Sequence, residues 1–283
     1  MVSAPWLRSC CLDSQTLVYI LLFGLLAIVI YTKLRDKDVF FNPQGRAVLI
    51  TGCDSGFGNL LALRLLDMGF TVFAACLFPD GDGAQALINH SSPGQVKVIR
   101  LDVTSDEEVE KVKQYVKENL PDKGRMVFLS STGAYLSMFT SIYAMSKAGL
   151  EKFCDCLRLE MKQFAVQVCI IEPGNYAPAT KIQPYVDAER IWDSLSVEVK
   201  EAYSKKSIER VINGIQKQYK HGSRKSYEVV GTIVDALTSP SPKARYLVAS
   251  FAAKVNLYLY LWLPTLLFDN ILHFKSKKIN KSD

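Results

Sequence analysis

Histidine is scarce in this chain, and no cysteine pair stands at metal-ligand spacing. His90, His221 and His273 are the only three histidines in 283 residues and lie far apart, so zinc chemistry has no support and no metal is expected. The seven cysteines form no C-x-x-C, and Cys154 and Cys156 fall two apart in a helical pattern, where their side chains face different directions. This usage points to a reduced compartment. Net charge is +6, but Lys and Arg gather near the chain ends and on helix faces, with no stripe interleaved with aromatics, which excludes a nucleic-acid partner. Internal repeats and low-complexity segments are absent too.

What is present is apolar: 49% of the residues are hydrophobic, enough for one large domain with a sizeable core. Ser14 to Thr32 carries no charge and approaches the hydrocarbon thickness of a bilayer at the helical rise, which predicts a membrane anchor over 14–32 after a tail over 1–13. A cleaved signal peptide is the competing reading, but YTKLRDKD follows the run in place of a small-residue cleavage site. Lys33, Arg35 and Lys37 after the span, against Arg8 before it, place the following domain on the cytoplasmic side. No Arg-rich presequence precedes it, which favours the endoplasmic reticulum over a mitochondrial membrane. A linker is expected over 33–45. Near the other end, Val255 to Phe268 is uncharged, contains Pro264 and precedes a basic stretch. The 251–283 tail suits either a membrane interface, with lipid as partner, or a segment covering the core.

Between these ends, strands and helices alternate. RAVLIT, TVFAAC, VKVIRL, MVFLSS and VQVCIIE read as strands, with RYLVAS as a last edge strand. Helical patterns separate them, including an acid-started one from Thr104 to Leu120 and a long one from about Ile142 to Phe164. Such alternation predicts an α/β fold, a doubly wound parallel sheet of Rossmann type over 46–250, with charged helices over 181–240 as a substrate lid.

Two motifs carry chemistry. Thr51-Gly52-Cys53-Asp54-Ser55-Gly56-Phe57-Gly58 joins a strand to a helix; glycines there let backbone approach a pyrophosphate, and the free N–H groups of the helix start favour its charge. Tyr143 is the only one of thirteen tyrosines with Lys four positions on, at Lys147, so both project from one helix face. A free tyrosine ionises near pH 10, and a neighbouring ammonium favours the phenolate.

Together these residues resemble the short-chain dehydrogenase/reductase family from about Arg46 to at least Thr180. TGCDSGFG is similar to its cofactor loop, with Thr51, Gly52, Ser55, Gly56, Phe57 and Gly58 as binding positions. Asp102-Val103 is similar to its adenine-contacting pair, Tyr143 with Lys147 to its active-site Y-x-x-x-K, and Glu172-Pro173-Gly174 to the motif beside the nicotinamide, where Pro173 and Gly174 bind. The wording GCDSGFG, CLRLEM and EPGNYAPAT looks most like the branch of D-3-hydroxybutyrate dehydrogenase and its retinol and 17-beta-hydroxysteroid relatives. The resemblance implies Tyr143 as acid or base on the substrate oxygen and Lys147 as its partner and ribose ligand. A serine orients the oxygen; of the adjacent Ser130 and Ser131, spacing favours Ser131. The resemblance also implies a nicotinamide dinucleotide as cofactor. No acid stands near Cys76 for a ribose hydroxyl, yet CLFPDGDG has no Arg or Lys for a 2′-phosphate, and Asp80 and Asp82 would repel one, so NAD is favoured over NADP.

The sequence departs from the family in one place. Relatives carry a further strand, ending Asn-Asn-Ala-Gly, and a long helix with a catalytic asparagine between the Asp-Val pair and the serine strand; here only Thr104–Ser130 lies between. One central strand-helix unit is therefore expected to be missing, as an in-frame excision. Either MVFLSS moves beside the first strand or a gap is left there. The homo-oligomer normal for the family becomes doubtful. Two functions stay open: a membrane-held dehydrogenase of a hydroxy acid or a lipophilic alcohol, and a non-catalytic relative with residual nucleotide binding.

Overall fold

Glycines and polar turns cut the apolar runs into short strands. The computed structural model describes Thr16, Tyr19, Ile20, Phe23, Gly24, Leu26, Ala27, Pro43 and residues 45–119, 124–136, 140–180 and 187–270. In chain order, β1 (Ala47–Thr51), α1 (Gly56–Asp67), β2 (Thr71–Cys76), α2 (Asp82–His90), β3 (Val96–Arg100) and α3 (Asp106–Asn119) alternate. β4 (Arg125–Leu129), α4 (Ser141–Glu160), β5 (Gln167–Pro173) and the single turn α5 (Ala177–Thr180) follow. α6 (Ala188–Ser194), α7 (Val197–Ala202), α8 (Lys205–Lys220) and α9 (Ser226–Thr238) lead to β6 (Arg245–Val248) and α10 (Phe251–Trp262).

All strand pairs are parallel. β2 lies between β1 and β3, with Thr51 opposite Ala75 and Cys76 opposite Arg100. β5 lies between β4 and β6, with Leu129 opposite Ile171 and Pro173 opposite Val248. The α/β parallel architecture agrees with the alternation, but its continuity does not. The strands form two three-stranded sheets, and among the described residues no ladder joins β1 to β4. A ladder needs two edges about 4.8 Å apart. The described part of Thr104–Ser130 yields one helix and one strand, α3 and β4, and β4 spends its ladder on β5.

Each central strand is buried on both faces. β2 and β5 are covered from their second residue onward, as expected where helices flank a parallel sheet. Ala75, Leu101 and Val112 form one core cluster beneath α3; Cys154, Val168 and Ile170 form another beneath α4. α9 links the halves: its Val229, Val230, Ile233, Val234 and Ala236 are buried, and it packs on α1 as well as on β4, β5 and β6. Arg125 ties β4 to that helix, donating from Nη1 to the Ala236 carbonyl at 2.6 Å.

Ends behave as their residues dictate. α3 begins with Asp106, Glu107 and Glu108 and closes near Lys117, complementing the helix dipole. His90 pairs with Asp67 at 2.7 Å, and Cys154 is buried while Cys156 is exposed. Two compact units are distinguished: Met1–Phe41 with Ser239–Ser241, and Asn42–Thr238 with Pro242–Asp283. In the first, the described residues between Thr16 and Ala27 are helical, and Tyr19, Ile20, Phe23 and Leu26 are exposed. Most of the expected anchor, Ser14–Thr32, lies outside the described residues, as do nearly all of the linker and residues 271–283. No helix among the described residues is long and apolar enough to cross a membrane. In the second unit, α10 buries Leu257 but exposes Phe251 and Trp262 at 83% each.

Candidate active site

The turn after β1 is held from several sides. Gly52 and Gly56 take φ of 71° and 63°, the left-handed region that suits glycine. Gly58 must be glycine for another reason: a Cβ there would stand 2.2 Å from the Gly52 carbonyl oxygen. The Cys53 amide donates to the Ala75 carbonyl at 3.0 Å, while its side chain is fully buried, and burial pushes the thiol up to about 12. Asn59 Nδ2 donates to the Cys53 and Gly83 carbonyls, both at 2.9 Å. Asp54 accepts the Leu77 and Phe78 amides at 2.9 and 2.8 Å, which fixes the loop after β2.

This cradle fits a dinucleotide's pyrophosphate. A Cβ at Gly52 would meet nothing within 4 Å, so that side of the turn is open. α1 has no acidic residue in its first turn, and its N-cap Ser55 makes no side-chain capping bond, leaving the hydroxyl and the dipole's positive end to an anion. Asn59 and Gly83 carry no recognisable motif and escaped sequence reasoning. Asp102 lies beyond β3, its Oδ1 accepting the Thr104 amide and hydroxyl at 2.9 and 2.7 Å, bonds that hold the carboxyl below its ordinary range. Val103 beside it is exposed. The Asp102 amide donates to Glu108 on α3 at 2.6 Å.

Tyr143, Lys147 and Ser131 are brought together at the carboxyl end of β4. The Ser131 hydroxyl accepts the Gly133 amide at 3.1 Å and donates to the Pro173 carbonyl at 3.3 Å. Gly133 is what lets the tyrosine approach: a Cβ there would lie 2.8 Å from Tyr143 Cε1 and 3.4 Å from Ser131 Oγ. Lys147 Nζ donates to the Leu129 carbonyl at 3.0 Å and stands 5.9 Å from the centroid of the Tyr143 ring. Burial pushes the Lys147 ammonium down, and the nearby Glu151 partly offsets this. Ser130, the other serine weighed, is buried with its hydroxyl unpartnered.

β5 delivers the third part of the site. The Gly174 amide donates to the Val248 carbonyl at 2.8 Å, and a Cβ at Gly174 would come within 3.0 Å of Ala249 Cβ. Tyr176 then turns back to the phosphate turn, its ring edge-on to Phe57 with centroids 6.3 Å apart, and its hydroxyl donates to Glu228 at 2.6 Å. Behind the catalytic candidates lies a charge cluster that sequence reasoning missed. Arg245 Nη1 donates to Glu151, to Glu172 at 2.6 Å and to the Tyr135 hydroxyl at 2.8 Å; Nη2 reaches both Asp155 oxygens at 2.8 and 2.9 Å. Burial pushes the Glu172 carboxyl up, against the pull of Arg245. Residues this distant in sequence leave no local spacing signal.

The short chain dehydrogenase family model matches this chain over residues 46–122 and 119–190. Retinol dehydrogenase 7 of Mus musculus is 32% identical over 299 residues, covering 86% of this chain and 93% of the relative. The mitochondrial D-beta-hydroxybutyrate dehydrogenase of Rattus norvegicus is 30% identical, covering 76% of this chain and 79% of the relative. A short chain dehydrogenase/reductase from Burkholderia phymatum, solved in complex with NAD, shares the fold at 16% identity with a TM-score of 0.58, covering 78% and 94%. Family model and relatives agree: the chain belongs to the short chain dehydrogenases, nicotinamide-dependent oxidoreductases that act on CH–OH groups.

Proposed function

We propose that the chain is built to interconvert a secondary alcohol and a ketone with NAD, using Tyr143, Lys147 and Ser131. The observation that carries this is the packing of the Tyr143 ring against Gly133 beside Ser131 Oγ, with the Lys147 ammonium 5.9 Å from that ring. Tyr143 exchanges a proton with the substrate oxygen, Ser131 orients that oxygen, and Lys147 supplies the positive charge that favours the phenolate. The Ser131 hydroxyl donates to the Pro173 carbonyl at 3.3 Å, so it must exchange that bond to donate to a substrate. The nicotinamide supplies hydride transfer when bound. Thr51, Gly52, Ser55, Gly56, Phe57 and Gly58 would hold its pyrophosphate, Asp102 and Val103 its adenine, and Pro173 and Gly174 its nicotinamide.

NAD is preferred over NADP on electrostatic grounds. The Asp54 carboxylate lies against the loop after β2, and Asp80 and Asp82 follow. Arg100 reaches the Leu77 carbonyl at 3.1 Å but is already paired with Glu108 at 3.0 Å. Two substrate classes fit: the similarity to D-beta-hydroxybutyrate dehydrogenase favours a small hydroxy acid, and the exposed apolar face of α10 favours a steroid or retinoid delivered from a membrane. The uncharged 14–32 stretch and that face together support attachment to a membrane, with the endoplasmic reticulum ahead of the mitochondrion.

The separated sheets favour a second reading, a nucleotide-binding relative without turnover. A missing central strand-helix unit is supported by the family match breaking into two segments near residue 120, and by a 299-residue alignment to the mouse relative that exceeds this chain's own length. Such a loss leaves β1 and β4 unjoined and weakens subunit pairing. Misplacement by about 1 Å costs on the order of a hundredfold in rate. Purified chain in detergent should be stabilised thermally by NADH and then assayed with 3-hydroxybutyrate, estradiol and retinol. Stabilisation with turnover supports the dehydrogenase, stabilisation alone the binding remnant, and neither sinks both.

A further inference from the structure

We propose that Glu151 is the positioning residue for Lys147, the buried anion that keeps its side chain an ammonium beside Tyr143. This rests on the catalytic pair proposed above and extends it by one helical turn. Tyr143, Lys147 and Glu151 occur at successive intervals of four on α4, so they share a face. Lys147 is half-buried and makes its hydrogen bond to a neutral group, the Leu129 carbonyl. An ammonium in that setting needs a counter-charge, and burial alone pushes it towards the neutral amine.

Glu151 is placed to supply that charge. Its side chain is 5% exposed; Oε2 is taken by Arg245 and by the Tyr135 hydroxyl at 3.4 Å, whereas Oε1 is buried with no hydrogen-bond partner. Two guanidinium groups, Arg245 and Arg158, face three carboxylates, Glu151 and Asp155 on α4 and Glu172 on β5, and the exposed Lys152 approaches Asp155 at 4.0 Å from the solvent side. Cys154 and Tyr135 complete the titratable groups that feel Glu151. Of these carboxylates, Glu151 is the one on the Lys147 face of α4 and the one whose charge acts on that lysine.

The test reads Lys147 itself, without nucleotide or substrate, so its result is independent of whether the chain turns over. With isotope-labelled lysine, the Lys147 signal is assigned by its loss in Lys147→Met and titrated by NMR. Glu151→Gln, which keeps an oxygen for Arg245, should lower the Lys147 midpoint by about one pH unit. Asp155→Asn, which removes a charge from the far side of Arg245, should lower it by much less. An unchanged midpoint in Glu151→Gln, or an equal fall in Asp155→Asn, overturns the assignment. If Glu151→Gln does not fold, the unaltered chain decides: its Lys147 signal must move as acid protonates the carboxylates, and a flat signal overturns the assignment.

Discussion

Asp54 and Phe78 are joined across the nucleotide turn: Asp54 Oδ1 accepts the Phe78 amide at 2.8 Å while Oδ2 takes Leu77 at 2.9 Å. One carboxylate thus couples the glycine turn after β1 to the loop after β2. Asp54→Ala should cost about 1–2 kcal/mol of stability and weaken NADH binding at least tenfold, with Asp54→Asn in between. Thermal unfolding and a fluorescence titration of NADH measure the two effects.

Gly58 and Gly149 offer a matched comparison. A methyl at Gly58 meets the Gly52 backbone, whereas one at Gly149 on α4 meets nothing within 4 Å. Gly58→Ala should cost about 1–3 kcal/mol and abolish stabilisation by NADH. Gly149→Ala should gain roughly 0.5–1 kcal/mol through helix propensity and leave NADH stabilisation intact.

Tyr143→Phe keeps the ring that packs against Gly133 and removes only the hydroxyl. Turnover of whichever alcohol proves active should fall by roughly 10²–10⁴-fold, with NADH stabilisation unchanged. Equal loss of binding and turnover would mean that the ring, not the proton, matters.

Glu172 gives a stability signature in pH. Burial raises its carboxyl above the ordinary range, so between the ordinary value and the raised one the folded chain holds a proton that the unfolded chain has released. Its contribution is therefore present at low pH and is lost as pH rises through that window. Relative to Glu172→Gln, the melting temperature of the unaltered chain should fall as pH rises from 4 to 7; a constant difference would contradict the burial argument.

Leu65 on α1 is fully buried. Leu65→Ala should destabilise by about 2–5 kcal/mol, read as a lower denaturant midpoint.

Local geometry was legible in the sequence because it is carried by short offsets. The glycines at Gly52, Gly56 and Gly58 announce a backbone that must bend and pack closely, and the interval from Tyr143 to Lys147 equals one helical turn. Strand positions followed from apolar runs: TVFAAC is β2 residue for residue, and VQVCIIE differs from β5 by one position at each end. Asn59 and Asp54 clamping the turn, and Arg245 gathering Glu151, Glu172 and Asp155, could not be read this way, since their partners stand from 6 to 94 residues away.

By itself the sequence determined the alternation of elements, the phosphate turn and the tyrosine–lysine pair, all consequences of backbone freedom and helical periodicity within a few residues. Only the tertiary structure decided that, among the described residues, the strands form two three-stranded parallel sheets, with α9 packed on α1 and on the second sheet, because which edges meet depends on long-range packing. It alone decided, too, that a buried carboxylate sits one turn behind Lys147, since burial and charge balance are properties of the assembled core.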